Sequence, residues 1–345
     1  MIYGSNGYTG NLIAKLAISK GMRPILAGRN DEKIRAQAKE LGLDARVFAL
    51  DDTAAADEAL ADVAVVSHCA GPFSRTAAAM AEACMRTNTH YLDITGEIEV
   101  FEAMAALTQR ATDAGVMLMP GTGFDIVPSD CLSAYLKRRL PDATHLKLAI
   151  QAIGKPSRGT ATTMVENIHK GGLIRKDGEI TPVPSAWKTE EFDLGGGPVS
   201  AMTIPWGDVS TAYYSTGIPN IEVFMAVPAQ LRNMAKFSRY FGWVLGSGPV
   251  QALLKRSIQK GPAGPSDAER ESGKSFLWGQ VRNAAGDTVA TRMRTPEGYT
   301  LTAHTALEIA RRVAEDGAPA GFQTPSMIYG PDFILEFEGV ERTDV

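Results

Sequence analysis

An α/β fold, with a doubly wound parallel sheet followed by an inserted mixed α/β second domain, is what the sequence predicts, on three observations. Strand-like and helical stretches alternate through the first third of the chain. Three glycines spaced three apart, Gly4, Gly7 and Gly10, stand between the first strand and the first helix. Near residue 125 the alternation gives way to shorter strands with hairpin signals.

The elements follow in order. Met1, Ile2 and Tyr3 form a strand stub that is either unusually short or continued upstream. Leu12, Ile13, Leu16 and Ala17 recur at helical spacing, Gly21 stops that helix, and Pro24-Ile-Leu-Ala-Gly28 is a second buried strand that closes a βαβ unit. Asp31–Leu41 is helical, with Ile34, Ala38 and Leu41 on one face, acids in the positive first turn and Gly42 as its stop. Strands are expected over 46–50, 63–67, 90–94 and 116–119, alternating with helices over 53–61, 76–86 and 97–114. Beyond them lie a strand over 144–153, a helix over 159–170, an Asp177-Gly178 hairpin turn, and strands over 199–206, 221–227, 276–282 and 288–293. A helix over 300–314 carries Leu301, Thr305, Ile309 and Val313 on one stripe. The expected domains are 1–124 for dinucleotide binding, 125–295 for substrate, and 296–345 as a helix and tail returning to the first.

At 345 residues and 44% hydrophobic content the chain is a globular protein too long for one core. A formal charge of −4 without a basic run excludes nucleic acid as a partner. Cys69, Cys84 and Cys131 are odd in number and lack metal-ligand spacing, which predicts reduced thiols, no metal site and a cytoplasmic location. The apolar run 241–254 is shorter than the ~20 residues needed to cross a bilayer and contains Gly and Pro. It reads as a broken core helix, with a lid or a peripheral membrane contact, aided by Lys255, Arg256 and Lys260, as the alternatives. A homodimer stays open.

In a doubly wound sheet ligands gather beyond the carboxyl ends of the strands. The first such loop, Gly4-Ser5-Asn6-Gly7-Tyr8-Thr9-Gly10, has the glycines for a tight turn and for close approach of a pyrophosphate to a helix N-terminus. The second strand ends in Gly28-Arg29-Asn30, where an acid would accept from a ribose hydroxyl and an arginine accommodates a 2′-phosphate. NADP(H) is therefore expected over NAD(H), against the alternative of Arg29 as a solvated charge. Asp51 is a candidate acceptor for the adenine amino group, and Ala70, Gly71, Pro72 and Phe73 are candidates to border the nicotinamide ribose.

Hydride transfer also needs a proton donor. The candidates are Asp125, which also suits a helix cap; Glu97, which also complements a helix dipole, beside an Asp93 that can orient Thr95; Tyr214, with Tyr213 and Tyr299; and His169, paired one turn away with Glu166. No hydrolase triad or zinc motif is present in the sequence.

Four segments together resemble the saccharopine dehydrogenase-like oxidoreductases, including the trans-acting enoyl reductases. They are Gly4-Ser-Asn-Gly-Tyr-Thr-Gly10, Ala27-Gly-Arg-Asn30, the run from Cys69-Ala-Gly-Pro-Phe73 to His90-Tyr-Leu-Asp-Ile-Thr-Gly-Glu97, and Gly123-Phe-Asp-Ile-Val-Pro128. The likeness spans about the first 135 residues and thins to fragments beyond. It implies a Rossmann-type domain, an inserted domain covering the nicotinamide, NADP(H), and hydride transfer to a C=N, C=O or C=C bond of a small or acyl-chain substrate. A non-catalytic NADP-binding sensor is the rival reading.

Overall fold

The computed structural model describes residues 1–152, 155–167 and 171–345. The chain divides into two compact units, Met1–Val127 with Tyr299–Ile328, and Pro128–Gly298 with Tyr329–Val345.

The first unit begins with β1 (Ile2–Tyr3), α1 (Tyr8–Ser19), β2 (Leu26–Gly28), α2 (Asp31–Leu41), β3 (Ala45–Val47), α3 (Thr53–Leu60), β4 (Val65–His68), α4 (Phe73–Thr87) and β5 (His90–Asp93). It continues through α5 (Ile98–Ala106), α6 (Thr108–Asp113) and β6 (Met117–Met119). Where one helix was expected over 97–114, two stand. Leu107 leaves helical geometry at φ −86°, ψ 0°, and the Thr108 hydroxyl donates to the Ala105 carbonyl at 2.6 Å, taking an acceptor of the preceding turn.

The second unit runs through α7 (Val127–Arg139), β7 (His145–Ala152), α8 (Arg158–Asn167), β8 (Gly172–Lys176), β9 (Glu179–Val183), β10 (Thr189–Asp193), β11 (Pro198–Thr203), α9 (Asp208–Thr216) and β12 (Asn220–Ala226). There follow α10 (Ala229–Leu245), α11 (Gly248–Lys260), α12 (Asp267–Ser272), β13 (Lys274–Arg282) and β14 (Thr288–Pro296). Asp177 at φ 50° and Gly178 at φ 86° make the expected tight hairpin between β8 and β9. The polar stretch Asp208 to Thr211 forms the buried start of α9.

After β14 the chain divides rather than returning whole to the first unit. Most of α13 (Gly298–Asp316), with β15 (Gly321–Phe322) and nearly all of α14 (Pro325–Tyr329), clusters with the first unit. A 3-10 helix (Phe333–Glu336) and β16 (Glu341–Asp344) belong to the second, where β16 pairs antiparallel with β14.

Among the described residues the first sheet has the order β15-β6-β5-β4-β1-β2-β3, all parallel. This is a Rossmann-type doubly wound sheet extended by β15. Ile2, Ile13, Ala17 and Leu26 share one core with Ala303, Ala306 and Leu307, so α13 is built into the first sheet's packing. The second sheet follows β10-β11-β12-β7-β13-β14-β16, with β8 and β9 attached through β12. Only its β12–β7 pair is parallel among the described residues. Phe192 packs on Phe224 and Trp278, with ring centroids 4.9 and 5.0 Å apart, at its center.

The stretch 241–254 is broken as expected, at the boundary of α10 and α11, where Pro249 sits in the first turn of a new helix. It is not core. Trp243 and Leu253 are exposed, and α11 has no buried residue. No helix among the described residues is long and apolar enough to cross a membrane.

Candidate functional site

The site is built on the loops that leave the carboxyl ends of the first sheet. After β1 the chain turns at Gly4, φ +80°, where a Cβ would lie 2.8 Å from the Ala70 amide nitrogen and 2.9 Å from the Ala70 side chain. A Cβ on Gly10 would fall 2.5 Å from the Gly4 carbonyl oxygen and 2.8 Å from the Ser5 Cα. Both glycines are therefore steric requirements of the loop. Gly7 donates its N–H to the Gly4 carbonyl at 3.0 Å and caps α1, while Asn6 and Gly7 are exposed and Tyr8 and Thr9 half-buried.

The first four helix starts differ in how they are capped. The α2 N-terminus is capped by the Asn30 side chain, which accepts from Lys33 N–H at 2.9 Å. Asp52 does the same for α3 through Ala55 N–H at 3.1 Å. Glu97 serves α4, its two carboxylate oxygens accepting from Phe73 N–H at 3.0 Å and Ser74 N–H at 3.1 Å. Of these four, α1 starts on Gly7, which has no side chain to cap it, and carries no acid in its first turn, so backbone stands at the head of the glycine cradle. Glycines at the three loop positions thus leave backbone, not side chain, to meet an anion.

Beyond β2, Arg29 is exposed and makes no hydrogen bond or ion pair among the described residues. Gly28 packs under Ile34, and its missing Cβ would lie 3.5 Å from Asn6 Oδ1, so the first and second loops touch. Asp51 is exposed after β3. Arg29 and Asp51 both act on the Tyr3 phenol, in opposite directions, although burial is the main cause of its raised pKa. Ser5 turns inward. It is buried and donates to Gln37 Oε1 at 2.8 Å, while Gln37 Nε2 donates to the Ser5 carbonyl at 2.9 Å and to Asn11 Oδ1 at 3.0 Å.

After β4, Ala70 lies against Gly4, Gly71 and Pro72 join through a cis peptide bond, and Phe73 opens α4 with its ring edge-on to His68 at 5.5 Å. The Thr76 hydroxyl donates to the Ala70 carbonyl at 2.8 Å and sits 2.9 Å from His68 Nε2. These bonds hold the loop from beneath.

The ends of β5 and β6 are tied by Asp93, which is fully buried. It accepts from Tyr91 OH at 2.6 Å, Thr95 N–H at 2.9 Å and Gly121 N–H at 2.8 Å, and burial pushes its pKa up to about 6. Its carbonyl also accepts from the Thr122 N–H and hydroxyl. Asp125 stands in the turn that follows β6. A Cβ on Gly96 would lie 2.9 Å from Asp125 Oδ2, and burial pushes Asp125 up to about 6. The start of α13 completes this edge. Tyr299 stacks edge-on against Tyr8 at 5.1 Å, the Thr302 hydroxyl accepts from Phe124 N–H at 2.9 Å, and the Thr305 hydroxyl donates to the Thr122 carbonyl at 2.8 Å.

The expected residues therefore fall into distinct places. Gly4, Gly7, Tyr8, Gly10, Gly28, Arg29, Ala70, Gly96 and Asp125 gather along one sheet edge. Glu97, Asn30 and Ser5 are occupied in caps and bracing, which sequence spacing does not reveal. Tyr214 lies in the second unit on α9, beside Tyr213 and 6.0 Å from the buried Arg175 guanidinium. Glu166 pairs with Lys255 at 2.6 Å, and His169 lies outside the described residues. Gln37 and Thr302 escaped notice in the sequence, and Thr305 was read there only as part of a helical stripe. Gln37 had a signal, a lone polar side chain on the apolar stripe of Ile34, Ala38 and Leu41. No group of three or more His, Cys, Asp or Glu side chains able to hold a metal ion occurs among the described residues.

Comparison with known proteins agrees with this geometry. The model of the saccharopine dehydrogenase NADP binding domain matches residues 1–119. The chain is 36% identical over 148 residues to a trans-acting enoyl reductase of Mycobacterium leprae, covering 41% of this chain and 35% of that protein. It is 32% identical over 145 residues to a putative trans-acting enoyl reductase of Mycobacterium tuberculosis, covering 39% and 34%. The match thus spans about a third of the length of these curated relatives. Apo saccharopine dehydrogenase (L-Glu forming) from Saccharomyces cerevisiae superposes with a TM-score of 0.68 at 15% identity, covering 100% of this chain and 99% of that one. A homospermidine synthase from Legionella pneumophila in complex with NAD gives 0.63 at 11% identity, covering 99% and 90%. At these identities the superpositions establish the fold.

Proposed function

We propose that this chain, whose residues 1–119 match the model of the saccharopine dehydrogenase NADP binding domain, is an NADP(H)-dependent oxidoreductase. It reduces a C=C, C=O or C=N bond of a small or acyl-chain substrate in a reducing, cytoplasmic compartment. The observation that carries the reading is the pairing of an uncapped α1 behind a glycine cradle with an unengaged Arg29 at the next strand end. These residues fit the cofactor: the cradle takes the diphosphate on backbone N–H groups, and the guanidinium takes the 2′-phosphate. The bound nicotinamide supplies a hydride.

The chain's own part is to hold and deliver a proton. Asp125 suits this, because a carboxyl raised to about 6 retains a protonated fraction near neutrality. Gly96 packs against this carboxyl, with room for no side chain of its own beside Oδ2. Glu97 has both oxygens engaged by α4 and serves to set the Gly71–Phe73 loop. The unpaired thiols of Cys69, Cys84 and Cys131 are consistent with a reducing compartment. An acyl C=C bond is favored among the three by the names of the mycobacterial relatives.

The test is incubation of the full chain with NADPH deuterated at the nicotinamide C4, against enoyl, keto and imine compounds. Deuterium recovered at carbon in one class, by mass spectrometry, identifies the bond. NADPH bound but never consumed with any class would instead favor a sensor.

A further inference from the structure

The four most exposed large apolar side chains among the described residues are Trp243 (79%), Leu253 (69%), Met234 (63%) and Met164 (60%). All four lie on α8, α10 and α11 of the second unit. These helices join: Gln251 Nε2 on α11 donates to the Val165 carbonyl of α8 at 2.7 Å, and Lys255 pairs with Glu166. Exposed apolar bulk gathered on one group of helices marks an interaction surface, not scattered surface residues.

Charge says what it meets. From residue 223 to residue 266 the sequence has no Asp or Glu, yet it holds Arg232, Lys236, Arg239, Lys255, Arg256 and Lys260. This stretch is formally +6 in a chain of net −4, leaving −10 on everything else. Lys236 precedes Trp243 by two helical turns on the same stripe of α10, and Arg256 and Lys260 follow Leu253 at helical spacing on α11. Lys236, Arg256 and Lys260 are exposed and form no ion pair among the described residues. A tryptophan beside exposed cations, on two helices that carry no acid of their own, is the arrangement that settles at a lipid–water interface; the one acid that reaches them among the described residues, Glu166 of α8, is paired with Lys255.

We propose that α10 and α11 dock the protein peripherally on an anionic lipid surface. Trp243 and Leu253 enter the interface, and Lys236, Arg256 and Lys260 lie at the phosphate level. The acidic remainder of the chain is repelled from the same surface, which fixes this face toward the lipid. The docking does not depend on the oxidoreductase reading.

The test is flotation of the full chain with vesicles of phosphatidylcholine alone or mixed with phosphatidylglycerol, at low and high salt. The protein is expected to float with the anionic vesicles, remain below with the neutral ones, and be released by salt. The double variants Trp243→Ser with Leu253→Ser, and Lys236→Glu with Arg256→Glu, are each expected to bind about tenfold more weakly. All four positions are exposed, and circular dichroism confirms that the variants fold. Failure of the wild type to float with anionic vesicles would overturn the proposal. So would indifference to lipid charge, undiminished flotation of either variant, or capture by an acidic carrier protein without any vesicle binding.

Discussion

Gly96 and Asp125 occupy adjoining space so closely that a methyl group on the first would lie 2.9 Å from a carboxylate oxygen of the second and 3.3 Å from its Cβ. The loop after β5 is bare where the turn after β6 brings in its acid. Asp93 holds both loops at this separation by accepting from Thr95 and Gly121 N–H groups. Gly96 is not among the positive-φ glycines, so an alanine there meets only the collision. Gly96→Ala is predicted to lower kcat by about 10- to 100-fold, by displacing the carboxyl from its position. The NADPH dissociation constant, read by fluorescence titration, is predicted to stay unchanged.

Asp125 gives a pH signature with a definite sign. Its folded pKa is raised to about 6, from an ordinary value of 3.8. The protonated acid is the form that donates, so reduction is predicted to fall as pH rises through about 6. Asp125→Asn should remove that limb and cost about 100-fold or more in kcat.

Stability moves with the same group. A raised carboxyl contributes stability that is full below the unfolded value and lost as pH rises through the folded one. The Asp125→Asn variant should therefore gain on the wild type between about pH 4 and pH 6, by up to about 2–3 kcal/mol. Urea unfolding across this window measures the difference; a constant gap between the two proteins would contradict it.

Gln37 braces the glycine loop from α2 through Ser5 and Asn11. Gln37→Leu keeps the volume but strands the buried Ser5 hydroxyl and carbonyl. A loss of about 1–3 kcal/mol in unfolding free energy is predicted. NADPH affinity should fall with it, while the ratio of NADPH to NADH affinity stays as in the wild type, because Arg29 is untouched.

The first sheet was legible because its signals are local. Glycine stops, helical spacing and short apolar runs place β1 to β6 within a few residues, and Asp177-Gly178 specifies its turn by requiring positive φ at both positions. What was hidden depends on partners distant in sequence. Glu97 complements the start of α4, 24 residues earlier, rather than its own helix. Thr302 reaches Phe124 across 178 residues, which no spacing rule reports. The α10–α11 region misled for another reason. Its apolar residues read as core, but Trp243 and Leu253 face outward. A hydrophobic run states that burial is favorable without stating what does the burying.

The most direct test of the account is calorimetric titration of the wild type and of Arg29→Ala with NADPH and NADH. The wild type should bind NADPH more tightly, and the substitution should weaken NADPH by about 30- to 100-fold while leaving NADH nearly unchanged. Equal losses for both dinucleotides, or no heat from either with folded protein, would contradict it.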